Sequence, residues 1–303
     1  MNRKLLRSLF LLVALATAYG CAHGGPAIGS PAETDFSQIS VITWNIEWYP
    51  GKRRFAVREE RLAHAEIVKE ELRRLNPDIL LLQEIRNYES FAELCDALPG
   101  LRPAALSAFY GPIDGEYWDQ QIGIASKLPV MAAWSEPWRK GDVKPRRGFT
   151  AATIRIPGSL DLLLVYSLHL KSNLADRAQD RITNYEMRDE SIRQLLEHIQ
   201  DMKETVFVDR VVGVIVGGDF NTNQDEQFGD NAIQMMIDAG FHHAWEGVPR
   251  EDRLSWRGSD RFQPTTFDHF FTKGVGEPIA ELLEVPDETS DHWPVRIMID
   301  VSR

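Results

Sequence analysis

The chain has 303 residues and a mass of 34.5 kDa, which is enough for one large domain or two ordinary ones. Hydrophobic residues make up 43% and charged residues 26%, and these values exclude disordered, collagen-like and coiled-coil chains. The 34 Lys and Arg against 45 Asp and Glu give a formal charge of -11, so a polyanion would bind through a local basic patch or through metal ions.

The N-terminus predicts an export signal over residues 1–20. Basic residues precede a short apolar run from Leu9 to Ala18, and small residues close it before Cys21. The segment that ends at Cys21 resembles a bacterial lipoprotein box, so we expect a lipidated Cys21 and a membrane-anchored protein in the periplasm or on the outer surface. The alternative is a plain secretory signal and a secreted protein. Residues 21–38 are rich in Gly and Pro without periodicity, and they predict a flexible tether.

Residues 39–303 predict a single domain, because no linker or internal repeat interrupts them. Continuous apolar strands alternate with amphipathic helices, which predicts an α/β or α+β fold with both sheet faces covered. The predicted strands are Ser40–Trp44, Asp78–Leu82, Phe149–Ile156, Leu160–Leu168, Val211–Val216, Thr265–Thr272 and Val295–Val301, and the predicted helices are Arg58–Leu75, Tyr185–Met202 and Asn231–Ala239.

Side chains on the predicted helices fall into an inner and an outer set. In the first helix the apolar stripe predicted to face inward is Leu62, Ala65, Val68, Leu72 and Leu75. His64 and His198 are expected to be partly exposed on their helices. The remaining cysteine, Cys95, has apolar neighbours and is expected to be a buried structural thiol.

Polar residues fall at the ends of the predicted strands. They are Asn45, Glu84, His169, Asp219 and Asn221, together with Asp268 in a late strand and Asp291-His292 just before the last one. Buried strands that finish in such residues bring them together at one sheet edge, where open α/β folds bind ligands. Several carboxylates in one place repel each other unless a cation or a histidine proton joins them.

The chemistry of this cluster favours a hard divalent cation and phosphoester hydrolysis. Oxygen donors with amide support suit Mg²⁺, with Mn²⁺ or Ca²⁺ as alternatives. The metal would polarise a phosphoryl oxygen, a carboxylate–histidine pair would activate water, and a second histidine would meet the developing charge. Arg146-Arg147 and Lys171 are candidates for phosphate contacts, and a solvated charge cluster is the alternative. Trp48-Tyr49 and Trp118 could stack on bases or pack in the core.

Six fragments in chain order give the sequence a family resemblance. They are Thr43-Trp44-Asn45-Ile46-Glu47, Leu82-Gln83-Glu84, Ser167-Leu168-His169-Leu170-Lys171-Ser172, Gly218-Asp219-Phe220-Asn221, Phe267-Asp268-His269 and Ser290-Asp291-His292-Trp293-Pro294-Val295. Together they resemble the endonuclease/exonuclease/phosphatase superfamily, which includes pancreatic deoxyribonuclease, exonuclease III and sphingomyelinases. The resemblance implies a four-layer sandwich, in which two central mixed β-sheets are flanked by helices.

The same resemblance implies roles for the strand-end residues. Glu84 would bind the metal with help from Asn45. Asp219 would position or deprotonate the water, or join a second metal site, and Asn221 would donate a hydrogen bond to a phosphate oxygen. His292 would be oriented by Asp291 and act as a base or as a phosphate partner. Asp268 would support the metal or the histidine.

Three functions remain open at the level of sequence. The favoured one is an exported, monomeric nuclease that cuts phosphodiester bonds of DNA or RNA. His169 favours the deoxyribonuclease, sphingomyelinase and 5-phosphatase branches over exonuclease III-like repair enzymes, which usually carry Tyr there. The second is a phosphodiesterase or phosphatase that acts on phospholipid or inositol-phosphate head groups. The third is a catalytically inactive binding module, against which the intact set of polar residues argues.

Overall fold

The computed structural model describes residues 37–110, 120–174, 178–225 and 227–302. The predicted export signal, Cys21 and most of the predicted tether lie outside these ranges, and so does Trp118. The strands are β1 (Gln38–Tyr49), β2 (Ile79–Ile85), β3 (Arg102–Leu106), β4 (Gln121–Ser126), β5 (Val130–Pro137), β6 (Gly148–Arg155), β7 (Leu162–His169), β8 (Val211–Asp219), β9 (His242–His243), β10 (Asp268–Lys273), β11 (Glu281–Leu282) and β12 (Val295–Asp300). The helices are α1 (Arg58–Leu75), α2 (Tyr88–Cys95), α3 (Ala178–Asp201) and α4 (Ala232–Asp238).

The strands described in these ranges form two six-stranded sheets. Sheet one has the order β11-β12-β1-β2-β4-β3, and sheet two has the order β5-β6-β7-β8-β10-β9. Each sheet contains one parallel pair at its centre, β1 with β2 and β7 with β8, and its other pairs are antiparallel. Both sheets are therefore mixed, as predicted.

Apolar residues of the described chain form three cores that separate four layers. The core between the two sheets includes Val41 and Leu81 from sheet one and Val165 from sheet two. In the next core, Val68 of α1 and its neighbours cover the other face of sheet one, and in the third Ile192 of α3 and its neighbours cover sheet two. Alternate strand residues point to opposite faces, so each central strand contributes to two cores. The predicted sandwich of two sheets flanked by helices is confirmed.

The helices differ in detail from their predicted form. Helix α1 has the predicted bounds, and Asn76 ends it in a left-handed conformation with φ 49° before Pro77. Its buried stripe begins at His64, whereas Leu62 is exposed, so the predictions for these two residues are wrong. Helix α3 begins at Ala178, seven residues before the predicted start.

Two further observations concern burial and membrane spans. Cys95 is fully buried, and burial raises the pKa of its thiol to about 12, which confirms the predicted structural thiol. Among the described residues, no helix combines the length and the apolar character that crossing a membrane requires.

Candidate active site

Strand register in sheet two brings three polar side chains together. The parallel pairing of β7 and β8 sets His169 beside Asp219, and the antiparallel pairing of β8 and β10 sets Asp268 on the other side of Asp219. All three are buried, and Nε2 of His169 lies 3.5 Å from Oδ2 of Asp219. The strands approach closely at Gly218, where a Cβ would lie 2.1 Å from the Leu168 carbonyl oxygen. Glycine is therefore required immediately before Asp219.

Sheet one supplies its acidic residue through an irregular backbone. Asn45 pairs with Gln83 in the parallel register of β1 and β2, and the register then shifts at Glu84. Glu84 has φ 65°, and the Trp48 N–H, whose own φ is 50°, donates to Glu84 Oε2 at 3.0 Å. Such left-handed backbone costs about 1–3 kcal/mol per residue and is concentrated at functional sites. The bulge turns the Glu84 carboxylate towards the edge where sheet two carries Asp219.

The Asn45 amide joins the two halves. Its Nδ2 donates to Oδ2 of Asp219 at 3.0 Å and lies 3.3 Å from Oε1 of Glu84. His169 Nε2 is 3.9 Å from the same Glu84 oxygen. The structure thus brings together four predicted site residues from the two sheets.

The partner of His292 differs from the predicted one. Nδ1 of His292 lies 2.7 Å from Oδ2 of Asp268, which also accepts a hydrogen bond from Ser255 Oγ at 2.8 Å. Asp291, which we predicted to orient His292, instead accepts from the Trp256 indole N–H at 3.0 Å. That prediction is wrong because the chain bends at Asp291, and its carboxylate is held by Trp256 rather than by the ring of the next residue. Asp268, predicted to support the metal or the histidine, is the carboxylate that contacts His292.

Burial and opposite charges shift the pKa values in this cluster. Burial alone would lower the pKa of His292, but Asp268 and then Asp219 outweigh it and hold that pKa well above its usual value. Burial raises the pKa of Asp219 to about 7, although His292 opposes the shift. Burial, followed by Arg147 and His292, holds the pKa of His169 well below its usual value. One imidazolium and one neutral imidazole therefore flank the Asp219 carboxyl group.

Cationic and amide groups lie beside the strand-end residues. The Arg147 guanidinium donates to the Leu170 carbonyl oxygen at 3.1 Å, and the Asn221 side-chain amide donates to the same oxygen at 3.3 Å. Lys171 Nζ donates to the carbonyl oxygen of Ser172. Burial, and then the repulsion of Arg147, lowers the pKa of Lys171 to about 8. This local excess of positive charge suits an anion, in a chain whose overall charge is negative.

The predicted aromatic candidates separate on burial. Tyr49 is fully buried in the core under α1, so it packs and cannot stack on a base. Trp48 remains half-buried beside Glu84.

A buried ion pair that the sequence analysis missed supports the strand ends of sheet two. Arg188 of α3 is fully buried and binds Asp230, and it donates to the Lys171 carbonyl oxygen at 2.8 Å. Oδ2 of Asp230 also accepts from the Thr222 hydroxyl at 3.0 Å. The pair therefore ties the segments after His169 and after Asp219 to one helix. The available signal was an arginine in the apolar stripe of α3, four residues before Ile192.

The donor set fits a hard divalent cation. In the described part of the chain, no three His, Cys, Asp or Glu side chains are grouped so as to hold a metal ion. The candidate donors are instead the carboxylates of Glu84 and Asp219, and carboxylate oxygens suit Mg²⁺. The Asn45 Nδ2 group lies between them and donates to both, so it orients the two carboxylates and is not itself a ligand. Sulfur ligands are absent from this set, which argues against a zinc-type preference.

Comparisons with known proteins agree with this fold. Among solved structures, the chain is similar to truncated TDP2 from Caenorhabditis elegans, with 16% identity, coverage of 87% of this chain and 98% of that chain, and a TM-score of 0.59. A mannosyl-6-phosphatase from Bacteroides thetaiotaomicron has 15% identity, coverage of 86% and 99%, and a TM-score of 0.62. The beta toxin of Staphylococcus aureus has 14% identity, coverage of 86% and 99%, and a TM-score of 0.62. No curated protein matches the sequence significantly.

At these identities the solved structures establish a shared fold. The family itself is established by sequence, because its profile matches residues 42–292, from within the first predicted strand to His292. The chain belongs to the Endonuclease/Exonuclease/phosphatase family.

Proposed function

We propose that this protein hydrolyses phosphodiester bonds with a bound divalent cation, and that nucleic acid is its substrate. Membership of the family indicates a hydrolase of phosphoester bonds. The observation that carries the proposal is the meeting of Glu84 and Asp219 with the Asp268-bound His292 at one edge of the sandwich. Carboxylates that can hold a cation, next to a cationic imidazole, form a site that stabilises a phosphoryl group carrying extra negative charge.

Each residue has a role in this proposal. Glu84, supported by Asn45, would hold the cation, which when bound polarises the phosphoryl oxygens. Asp219, which lies next to the ring of His292 and shares the Asn45 amide with Glu84, positions the attacking water and accepts its proton. His292 already carries its proton, so it acts as a hydrogen-bond donor towards the phosphoryl group, and Asp268 fixes its ring.

A basic and aromatic loop next to the site favours nucleic acid over a small phosphoester. Residues 50–57 follow Trp48 and Tyr49, and they include Lys52, Arg53 and Arg54. Phe55 is 78% exposed, and the Arg54 guanidinium lies 5.3 Å from the centre of its ring. Lys52 pairs with Glu47 and Arg53 pairs with Glu60, so the Arg54 guanidinium and the Phe55 ring are the groups proposed to meet a phosphate and a stacked base.

The proposal is tested with a panel of substrates. Plasmid DNA, single-stranded DNA, RNA, sphingomyelin, an inositol polyphosphate and bis(p-nitrophenyl) phosphate are each assayed with Mg²⁺, Mn²⁺, Ca²⁺ or EDTA. We expect nucleic acid to be cut fastest, and EDTA or Glu84→Ala to remove turnover. Glu89→Ala, a change of an exposed glutamate on α2, is the matched control. Full activity in EDTA would contradict the proposed role of the metal. Faster cleavage of sphingomyelin or inositol polyphosphate than of nucleic acid would contradict the proposed substrate.

A further inference from the structure

His64 of α1 contacts two loops that lead into the site. Its Nδ1 lies 2.7 Å from the backbone nitrogen of Gly51, and its Nε2 lies 2.7 Å from the carbonyl oxygen of Thr289. A backbone N–H can only donate and a carbonyl oxygen can only accept. Nδ1 of His64 is therefore unprotonated, and Nε2 carries the proton. The neutral imidazole, which is 4% exposed, therefore has both of its ring nitrogens in hydrogen bonds.

The first loop connects His64 to the support of Glu84. Gly51 has φ 121°, and a Cβ there would lie 2.3 Å from Cβ of Ala56, so its backbone is fixed in a tight turn. The Tyr49 ring lies edge-on to His64 at 5.6 Å, and the Tyr49 carbonyl oxygen accepts from the Arg86 N–H at 2.8 Å. One residue earlier, the Trp48 N–H binds the Glu84 carboxylate.

The second loop connects His64 to His292. Thr289 is fully buried, and the next residue, Ser290, donates its hydroxyl to the Asn45 carbonyl oxygen at 2.6 Å. The same hydroxyl accepts from the His292 N–H at 3.0 Å. A shift of the Thr289 carbonyl group would therefore displace His292, which follows it by three residues.

We infer that His64 is a positioning residue that sets the separation of Glu84 and His292, by holding the Gly51 N–H and the Thr289 carbonyl group on one rigid ring. The inference rests on the proposed function, because it assumes that these two side chains act on one substrate. An imidazole ring fixes the distance and the angle between its two hydrogen bonds, which water or two independent side chains would not do.

The surroundings favour the neutral ring that this role needs. Burial lowers the pKa of His64; the Thr289 carbonyl oxygen opposes this effect and the Lys52 ammonium adds to it. Protonation would place a second N–H against the Gly51 N–H and break that hydrogen bond. The Tyr49 ring is the other group that faces His64, and it carries no charge at neutral pH.

The test compares His64→Leu, His64→Gln and a control. Leu removes both hydrogen bonds, whereas Gln retains one acceptor and one donor on a planar amide. His198→Leu is the control, because His198 is also a helical histidine with a hydrogen bond, to the Tyr166 hydroxyl, and it lies on α3 against the rings of Phe149 and Tyr166. The measurements are kcat and KM below the unfolding temperature of each variant, together with hydrogen exchange of the Gly51 amide.

We expect His64→Leu to lower kcat by about 100-fold with a smaller change in KM, since a small displacement of a catalytic group has an effect of that size. The Gly51 amide should exchange faster in this variant, and His64→Gln should recover most of both properties. The inference is overturned if folded His64→Leu retains wild-type kcat, if His198→Leu loses as much, or if Gln restores stability but not kcat. If His64→Leu does not fold, the Gln variant and the ring ¹⁵N shifts of wild-type His64 decide, and a protonated Nδ1 contradicts the inference. If the wild type hydrolyses no phosphoester, the proposed function fails, and unchanged exchange at Gly51 in the variants would separately overturn the His64 contacts.

Discussion

The two sheets contribute to the candidate site by different means. Sheet two places His169, Asp219 and Asp268 by regular strand register, so the three side chains are neighbours wherever the strands pair. Sheet one places Glu84 by a bulge with a left-handed backbone, and the segment before β12 places His292 by hydrogen bonds from loops. The geometry of sheet two follows from the fold, whereas that of sheet one depends on individual contacts.

The supports of the two halves differ in the same sense. Arg188 and Asp230 hold the segments after β7 and β8 through a buried ion pair. His64 holds the loops of sheet one through a neutral ring. We therefore expect substitutions of the Arg188–Asp230 pair to act mainly on stability, and substitution of His64 to act mainly on turnover.

The largest loss of turnover should come from Asp268, which lies in sheet two and binds His292 of the segment before β12. Asp268→Asn should lower turnover by about 10²- to 10⁴-fold, because the His292 ring loses the carboxylate that fixes its tautomer and charge. Asp291→Asn should leave the ring of His292 in place and have a distinctly smaller effect on it. Turnover and the ring ¹⁵N shifts of His292 are measured for both variants. Equal shifts of the His292 ring in the two variants would restore Asp291 as its partner.

The next largest effect is a loss of stability on substitution of Arg188. It distinguishes the Arg188–Asp230 ion pair from the neutral ring of His64. Arg188→Met leaves the Asp230 carboxylate buried without its charge partner, and breaking a buried pair in this way typically costs about 3–5 kcal/mol. The free energy of unfolding is measured in urea. Replacement of both partners, with Arg188→Met and Asp230→Leu, should cost less than Arg188→Met alone. A loss below 1 kcal/mol for Arg188→Met would mean that the pair does not support sheet two.

A smaller effect on the free energy of unfolding is expected from lowering the pH, through the buried pair His243 of β9 and His269 of β10. His243 Nε2 lies 3.0 Å from Nδ1 of His269, and burial, with repulsion from His269, holds the pKa of His243 well below its usual value. Below pH 6.5 His243 is protonated in the unfolded chain but stays neutral in the folded chain. The free energy of unfolding therefore falls as the pH falls. The slope is about 1.4 kcal/mol per pH unit for one such group.

The control for this effect is His243→Gln, which keeps an N–H donor for His269 and does not titrate. Between pH 6.5 and 5 the free energy of unfolding of the wild type should fall relative to that of the variant, with the slope given above. A difference that is independent of pH would show that His243 takes up its proton equally in the folded and the unfolded chain, which contradicts a lowered pKa.

The smallest effect is expected at Lys171, which lies beside the site without contacting its carboxylates. Lys171→Gln should raise KM by about tenfold and change kcat little, since a charge-assisted contact to phosphate contributes about 1.5–3 kcal/mol at most. The same substitution at the exposed Lys140 is the control. Unchanged KM in Lys171→Gln would leave a solvated charge cluster as the better description of this region.

The same contrast explains what the sequence could predict. His169, Asp219 and Asn221 were recognisable because they end continuous apolar strands, and strand ends converge. The partner of His292 was not, because adjacency in the chain favoured Asp291 whereas the fold brings Asp268 across from another strand. His64 is buried rather than partly exposed, because the loops at Gly51 and Thr289 cover it, and such loops leave no periodic signal in the sequence. The predicted nucleic-acid substrate, metal and export remain predictions.

The most direct measurement of the central claim, that both halves act on one phosphoryl group, is a double-mutant cycle between them. His169 comes from sheet two and His292 from the segment before β12 of sheet one. Turnover of a natural diester and of an activated one is measured for His169→Ala, His292→Ala and the double variant, with metal affinity and unfolding as controls. Each single change should cost about 10²- to 10⁴-fold, and the double variant should lose less than the product of the two losses. Losses that multiply, or near-wild-type turnover in either single variant, would contradict a shared site.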